Sequence, residues 1–115
     1  MEISTTPGVL TKALRGQHLA DVTATGITGN IAPYANFGEG VDFSAPGGDG
    51  ELASESPDGS DGMIVSTFNL GETEAGEPSY GLQEGTSMAA PVVAGVVALI
   101  YSARPELGSP DVYKI

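Results

Sequence analysis

The longest unbroken apolar run in this 115-residue chain is Met88 to Tyr101, with no charged or large polar side chain in it. It is apolar on every face, which predicts a helix buried all round rather than an amphipathic surface helix. The residues before it, Gly85, Thr86 and Ser87, are small, so a loop hands over to the helix with Ser87 at the junction. A serine there can cap the free N–H groups of the first turn, or it can point outward as a nucleophile in the positive field of the helix N-terminus. Pro91 is expected in the first turn, where a missing N–H costs least.

Elsewhere the pattern is shorter in period. Val22, Thr23, Thr25 and Ile27 within Asp21–Thr28 read as a strand, followed by a Gly29-Asn30 turn. Val41 and Phe43 alternate with polar neighbours and suggest a second strand, closed by a turn at Pro46-Gly47. Met63–Phe68 reads as a third. Ser79–Glu84 leads back to Ser87, giving a hairpin-like feed into the helix. Gly47–Gly62 and Asn69–Pro78 are polar, Gly-rich and acidic, and read as exposed loops. Leu10, Lys12, Leu14 and Arg15 suggest a short helix stopped by Gly16. Ser109-Pro110-Asp111 carries a helix-start signal, with serine as cap. The chain ends under two turns later at Ile115, so the sequence is expected to be cut through an element.

Composition narrows the choices. The length allows one domain at most, and 17 glycines with 8 prolines imply many turns and small-residue contacts. The net charge is −11, with no Lys or Arg between Gly16 and Ala103 and eleven acids from Glu39 to Glu84. That surface repels phosphates, so nucleic acid is not expected as a partner. A solvated acidic face is the plain reading; adaptation to high salt and loose calcium binding are sharper ones. Asp49, Asp58 and Asp61 among glycines suit calcium, but their spacing matches no full calcium-loop signature, and no metal ligand is assigned. There is no cysteine. Met1-Glu2-Ile3-Ser4 does not read as a secretion signal. Met88–Tyr101, at fourteen residues, is read as too short to cross a bilayer, so no membrane span is expected. His18, the single histidine, has no supporting pattern and reads as a surface or locally bonded side chain.

Three blocks together carry a resemblance. Gly85-Thr86-Ser87-Met88-Ala89-Ala90-Pro91 resembles the nucleophile signature of the subtilisin-like serine proteases (subtilases). Tyr34-Ala35-Asn36-Phe37-Gly38, then Val41-Asp42-Phe43-Ser44-Ala45-Pro46-Gly47, resemble the scaffold segments that precede that signature, and the Met63–Phe68 strand follows them in order. The resemblance covers roughly residues 22–112. It implies an α/β fold of the subtilisin-like three-layer, parallel-sheet type. Of this fold the chain would supply the C-terminal strands, a β-hairpin and the central buried helix. Residues 21–115 would then be the C-terminal portion of a peptidase domain, with 1–20 unassigned.

By that resemblance Ser87 is the nucleophile of a serine endopeptidase, its own backbone N–H is one oxyanion donor, and Gly85 and Thr86 lie where substrate backbone approaches. The substrate class is protein or peptide, no cofactor is required for the chemistry, and the location is extracellular or cell-envelope. The pattern is incomplete. No Gly-His-Gly-Thr-His segment and no Ala-Gly-Asn segment occurs, so the triad Asp and His and the oxyanion Asn have no matching positions. Asp42 reads as a structural acceptor, and Asn30 and Asn36 fall inside the scaffold block. Val92-Val93 stand where the family commonly has His-Val. Glu84 stands where small or amide side chains are usual, and would repel an oxyanion if it pointed inward. The chain alone is therefore expected to be inactive, with the missing N-terminal portion of the domain as a partner. Three or four short strands cannot surround the apolar helix, and each exposed Val, Leu or Ile forfeits roughly 1.5–3 kcal/mol. The alternative is a non-catalytic fragment or pseudoprotease that binds or associates through that helix.

Overall fold

The computed structural model describes residues 20–51, 62–112 and 114. The expected short helix before Gly16, His18, and two of the three loop aspartates, Asp58 and Asp61, lie outside the described residues. Among the described residues six elements follow in order: β1 (Val22–Thr25), β2 (Phe43–Pro46), β3 (Ile64–Asn69), β4 (Pro78–Gln83), α1 (Thr86–Ala103) and α2 (Ser109–Val112).

β1 and β2 pair in parallel, Val22 opposite Phe43 and Ala24 opposite Ala45. β2 is displaced from its expected place: Val41 precedes it and Pro46 closes it as a strand residue. Proline has no N–H to donate, which a strand end tolerates, and the ladder continues one step on through Gly47 N–H to Thr25 O at 3.0 Å. β1 ends at Thr25 because the chain turns at once: Gly26 N–H donates to Asn30 O and Gly29 N–H to Gly26 O, with Gly29 at φ 79°. β3 and β4 pair antiparallel, Ile64 opposite Gln83 and Asn69 opposite Pro78, so the expected hairpin forms. Its tip is held by the Asn69 side chain, whose Oδ1 accepts the N–H groups of both Gly71 and Gly76 at 2.8 Å.

α1 packs on both β1 and β2. The contact is built of alanines: Ala24, Ala32, Ala35, Ala45 and Ala89 form the buried cluster, with Val22 and Val93 against it. Methyl-sized side chains let helix and sheet approach closely, and no large side chain is fully buried among the described residues. The helix expected to be buried all round is covered by the described residues on one side only. Val93, Val97 and Ile100 are half-buried, whereas Val92, Val96 and Leu99, at helical spacing on another face, are 41, 52 and 71 % exposed. The reason is material: two short strands and a hairpin have no third layer with which to cover the other faces.

α1 has 18 residues, four more than the apolar run, because Thr86 and Ser87 join it at one end and Ser102 and Ala103 at the other. By length and composition alone it reaches what a membrane crossing needs, so fourteen residues was too short a count to exclude one. Beyond it, α2 starts differently from expectation. Gly108, not Ser109, caps it: Asp111 N–H donates to Gly108 O at 3.0 Å, and Gly108 N–H donates to Asp111 Oδ2 at 3.1 Å.

Candidate active site

Ser87 is the second residue of α1, so it stands inside the helix and not at the cap position. The cap is Gly85, whose carbonyl accepts Met88 N–H at 3.0 Å and Ala89 N–H at 3.4 Å. Ser87 itself is exposed, and the cap position is taken by Gly85. The N–H groups of Thr86 and Ser87 stand at the helix end without an intrahelical carbonyl. Such groups, in the positive field of a helix N-terminus, favour a negatively charged oxygen. Pro91 stands in the second turn rather than the first. Having no N–H, it withholds the hydrogen bond that the Ser87 carbonyl would otherwise receive from four residues on.

Gly85 adopts φ 146°, ψ 162°, a conformation that L side chains rarely adopt. Its N–H donates to Gly47 O at 2.8 Å, tying the start of α1 to the end of β2. The Tyr34 hydroxyl points between two carbonyls of the same turn, 2.9 Å from Gly47 O and 2.7 Å from Gly48 O. Burial pushes the Tyr34 pKa above its ordinary value, and the nearby carboxylates Glu84 and Asp49 push it the same way against a backbone hydrogen bond. Gly47 fits because it lacks a side chain: a Cβ there would stand 2.5 Å from Ala24 Cβ and 2.7 Å from Gly85 O.

Glu84 is exposed, but its carboxylate is engaged on the surface rather than free in solvent. Its Oε2 accepts the N–H of Gly50. A cavity of about 730 Å³ opens beside Ser87, between the inner face of the hairpin (Ile64, Ser66, Phe68, Gly81) and the first turns of α1 (Met88, Pro91, Val92). A hydroxyl beside free N–H groups on the wall of an apolar cavity can attack a bound carbonyl if a base takes its proton. Among the described residues no histidine stands beside it.

Of the acidic and amide candidates, Asp42 serves the scaffold, its Oδ2 accepting Asp21 N–H at 3.0 Å. Asn36 contributes only its main-chain carbonyl, which accepts the Thr23 hydroxyl, and Asn30 Nδ2 donates to Thr28 Oγ1 at 3.2 Å on the surface. Among the described residues no group of three or more His, Cys, Asp or Glu gathers as a metal site, and Asp49 instead accepts Glu51 N–H through Oδ1. Sequence reasoning passed over the Tyr34 clamp and the Glu84–Gly50 contact. The signal for the first was a tyrosine thirteen positions before a Gly-Gly pair. The second had none, because Glu84 and Gly50 lie 34 positions apart.

Comparisons with known proteins give the family and the fold. The sequence matches the profile of the Subtilase family over residues 15–114. It is 45 % identical over 89 residues to an extracellular protease of Xanthomonas campestris pv. campestris, covering 77 % of this chain and 13 % of that protein. It is 37 % identical over 91 residues to an extracellular basic protease of Dichelobacter nodosus, covering 79 % and 13 %. In structure it is similar to a protease from Pseudoalteromonas arctica, with a TM-score of 0.74 and 36 % identity over 87 % of this chain and 28 % of that one. The chain thus spans 13 % of the length of these two relatives. With the serine segment at a helix start, the parallel pair beneath it and the family profile over 100 residues in register, this chain belongs to the subtilase family.

Proposed function

We propose that this chain is the C-terminal, nucleophile-bearing portion of a subtilase catalytic domain, comprising residues 21–115, and that Ser87 attacks the scissile carbonyl of a protein or peptide substrate. One observation carries the reading: Ser87 stands exposed at the second position of α1, inside the helix rather than at its cap position, where its own N–H and that of Thr86 have no intrahelical carbonyl. Its own N–H is then one donor to the oxyanion, and Gly85 and Thr86 are where substrate backbone approaches. The base, the acid that orients it and a second oxyanion donor come from outside the described residues. The N-terminal portion of the domain brings them and covers the Val92, Val96 and Leu99 face. That cover, rather than a bilayer, is the partner of α1, and the extracellular names of the relatives favour work outside the cytoplasm.

The chemistry asks little of this portion beyond placement. The attacking oxygen loses its proton to the base as the C–O bond forms, the carbonyl oxygen gains negative charge, and the Ser87 N–H receives it. Cleavage of a fluorogenic peptide tests this. The chain alone should give background rates; the chain completed by the N-terminal portion should cleave, and Ser87→Ala in the completed form should not. The association reading predicts binding of the N-terminal portion with no cleavage in either form.

A further inference from the structure

Glu84 places a negative charge three residues before Ser87, yet neither it nor its partner Gly50 lines the cavity onto which Ser87 opens. The surface beneath it is shaped to receive it. A Cβ on Gly50 would stand 2.9 Å from Glu84 Oε2 and 3.2 Å from its Cδ, and a Cβ on Gly48 would stand 3.2 Å from Glu84 Cβ and from Gln83 O. Residues 83–85 therefore lie flat on the Gly47–Gly50 turn. They are fixed at one end by the carboxylate on Gly50 N–H and at the other by Gly85 N–H on Gly47 O.

Resting on the reading of Ser87 as the nucleophile, we propose that Glu84 is a positioning residue. Its carboxylate, parked on the Gly50 N–H, seats the approach to α1 on the sheet and keeps negative charge away from the oxygen that becomes the oxyanion. Two effects follow from one contact. Releasing the carboxylate loosens residues 83–85, and it also frees a charge to repel the developing oxyanion.

Gly50→Ala separates these effects from a loss of fold. Its methyl meets the far end of a flexible side chain, so the carboxylate moves while the backbone has no cause to. In the full-length polypeptide that carries this chain, the rate of Ser87 phosphonylation by a fluorophosphonate is the readout. Glu84→Gln, whose amide oxygen accepts the same bond, should keep the rate within about twofold. Gly50→Ala should slow it about tenfold, by an effect that shrinks at high salt. Glu84→Gln added to Gly50→Ala should restore most of the rate, because the released group is then neutral. A purely structural contact would slow the single and the double variant alike, with no response to salt, and that result would overturn the role. Amide exchange reads the contact without the chemistry: Glu84→Ala should speed exchange at Gly50 and Gly85, and unchanged exchange would overturn it too. An unreactive Ser87 in the unsubstituted polypeptide would defeat the nucleophile reading, leaving the exchange result to judge the contact.

Discussion

The N–H of Gly85 donates to the carbonyl of Gly47 at 2.8 Å, joining the end of β2 to the residue that caps the serine-bearing helix. The same carbonyl accepts from the Tyr34 hydroxyl, so the place of Ser87 is set from the sheet rather than from the helix alone. Gly47→Ala would drive a methyl between Ala24 Cβ and Gly85 O, and neither has room to give. The expected cost is about 1–3 kcal/mol of stability, measured by chemical denaturation. Gly95→Ala is the contrast: a Cβ there meets nothing within 4 Å among the described residues. In a helix interior that change should stabilise the chain by about 0.5–1 kcal/mol.

Removing the Tyr34 hydroxyl should weaken the clamp on the Gly47-Gly48 turn. Tyr34→Phe loses a bond shared between two carbonyls and should cost about 0.5–1.5 kcal/mol at neutral pH. The pH dependence has a definite sign. With the folded pKa raised above the ordinary value of 10.0, the unfolded chain gives up this proton first. The hydroxyl's contribution is therefore complete below that value and is lost as pH rises through it toward the folded pKa. Denaturation midpoints measured across that window should fall more steeply for the unsubstituted chain than for Tyr34→Phe.

Ser87→Ala separates the two uses of a serine at a helix start. A capping serine would cost about 0.5–2 kcal/mol on replacement. Because Gly85 and not Ser87 holds the cap position, and Ser87 is exposed, the expected change is within about 0.5 kcal/mol. Thermal unfolding of the two forms measures it.

The Val92, Val96 and Leu99 face makes a prediction that depends on company. Leu99 is 71 % exposed in this chain. Leu99→Ser should leave the isolated chain's stability nearly unchanged and raise its solubility. Once the remainder of the domain covers this face, the same change should cost about 2–5 kcal/mol. Denaturation of both forms gives the comparison, and equal small effects would mean that the face stays uncovered.

Much of this was legible in the residues. The run from Met88 to Tyr101 and the small residues before it announced the helix and its serine, and the hairpin followed from two β-rich runs around an acidic loop. What escaped was set by contacts distant in sequence or by single-residue geometry. The residues left a cap or an outward-pointing nucleophile open for Ser87 until the resemblance favoured the second; that Gly85, with a φ that glycine holds easily, would take the cap position was not legible. Pro46 looked like a turn, but at a strand end it loses nothing by lacking a donor. The core was hidden because alanine has no strong burial signal; its smallness is what brings α1 close to β1 and β2. Glu84 looked like a hazard to the site because sequence gives no means of seeing Gly50 beneath it.

The most direct measurement is fluorophosphonate labelling of Ser87, read by peptide mass spectrometry, on this chain alone and on the chain completed by the N-terminal portion of a subtilase domain. An adduct on Ser87 in the completed form, lost in Ser87→Ala and not exceeding ordinary serines in the chain alone, is the predicted result. An equally fast adduct in the chain alone would mean that the base lies within these 115 residues. No adduct in either form would mean that Ser87 is not a nucleophile.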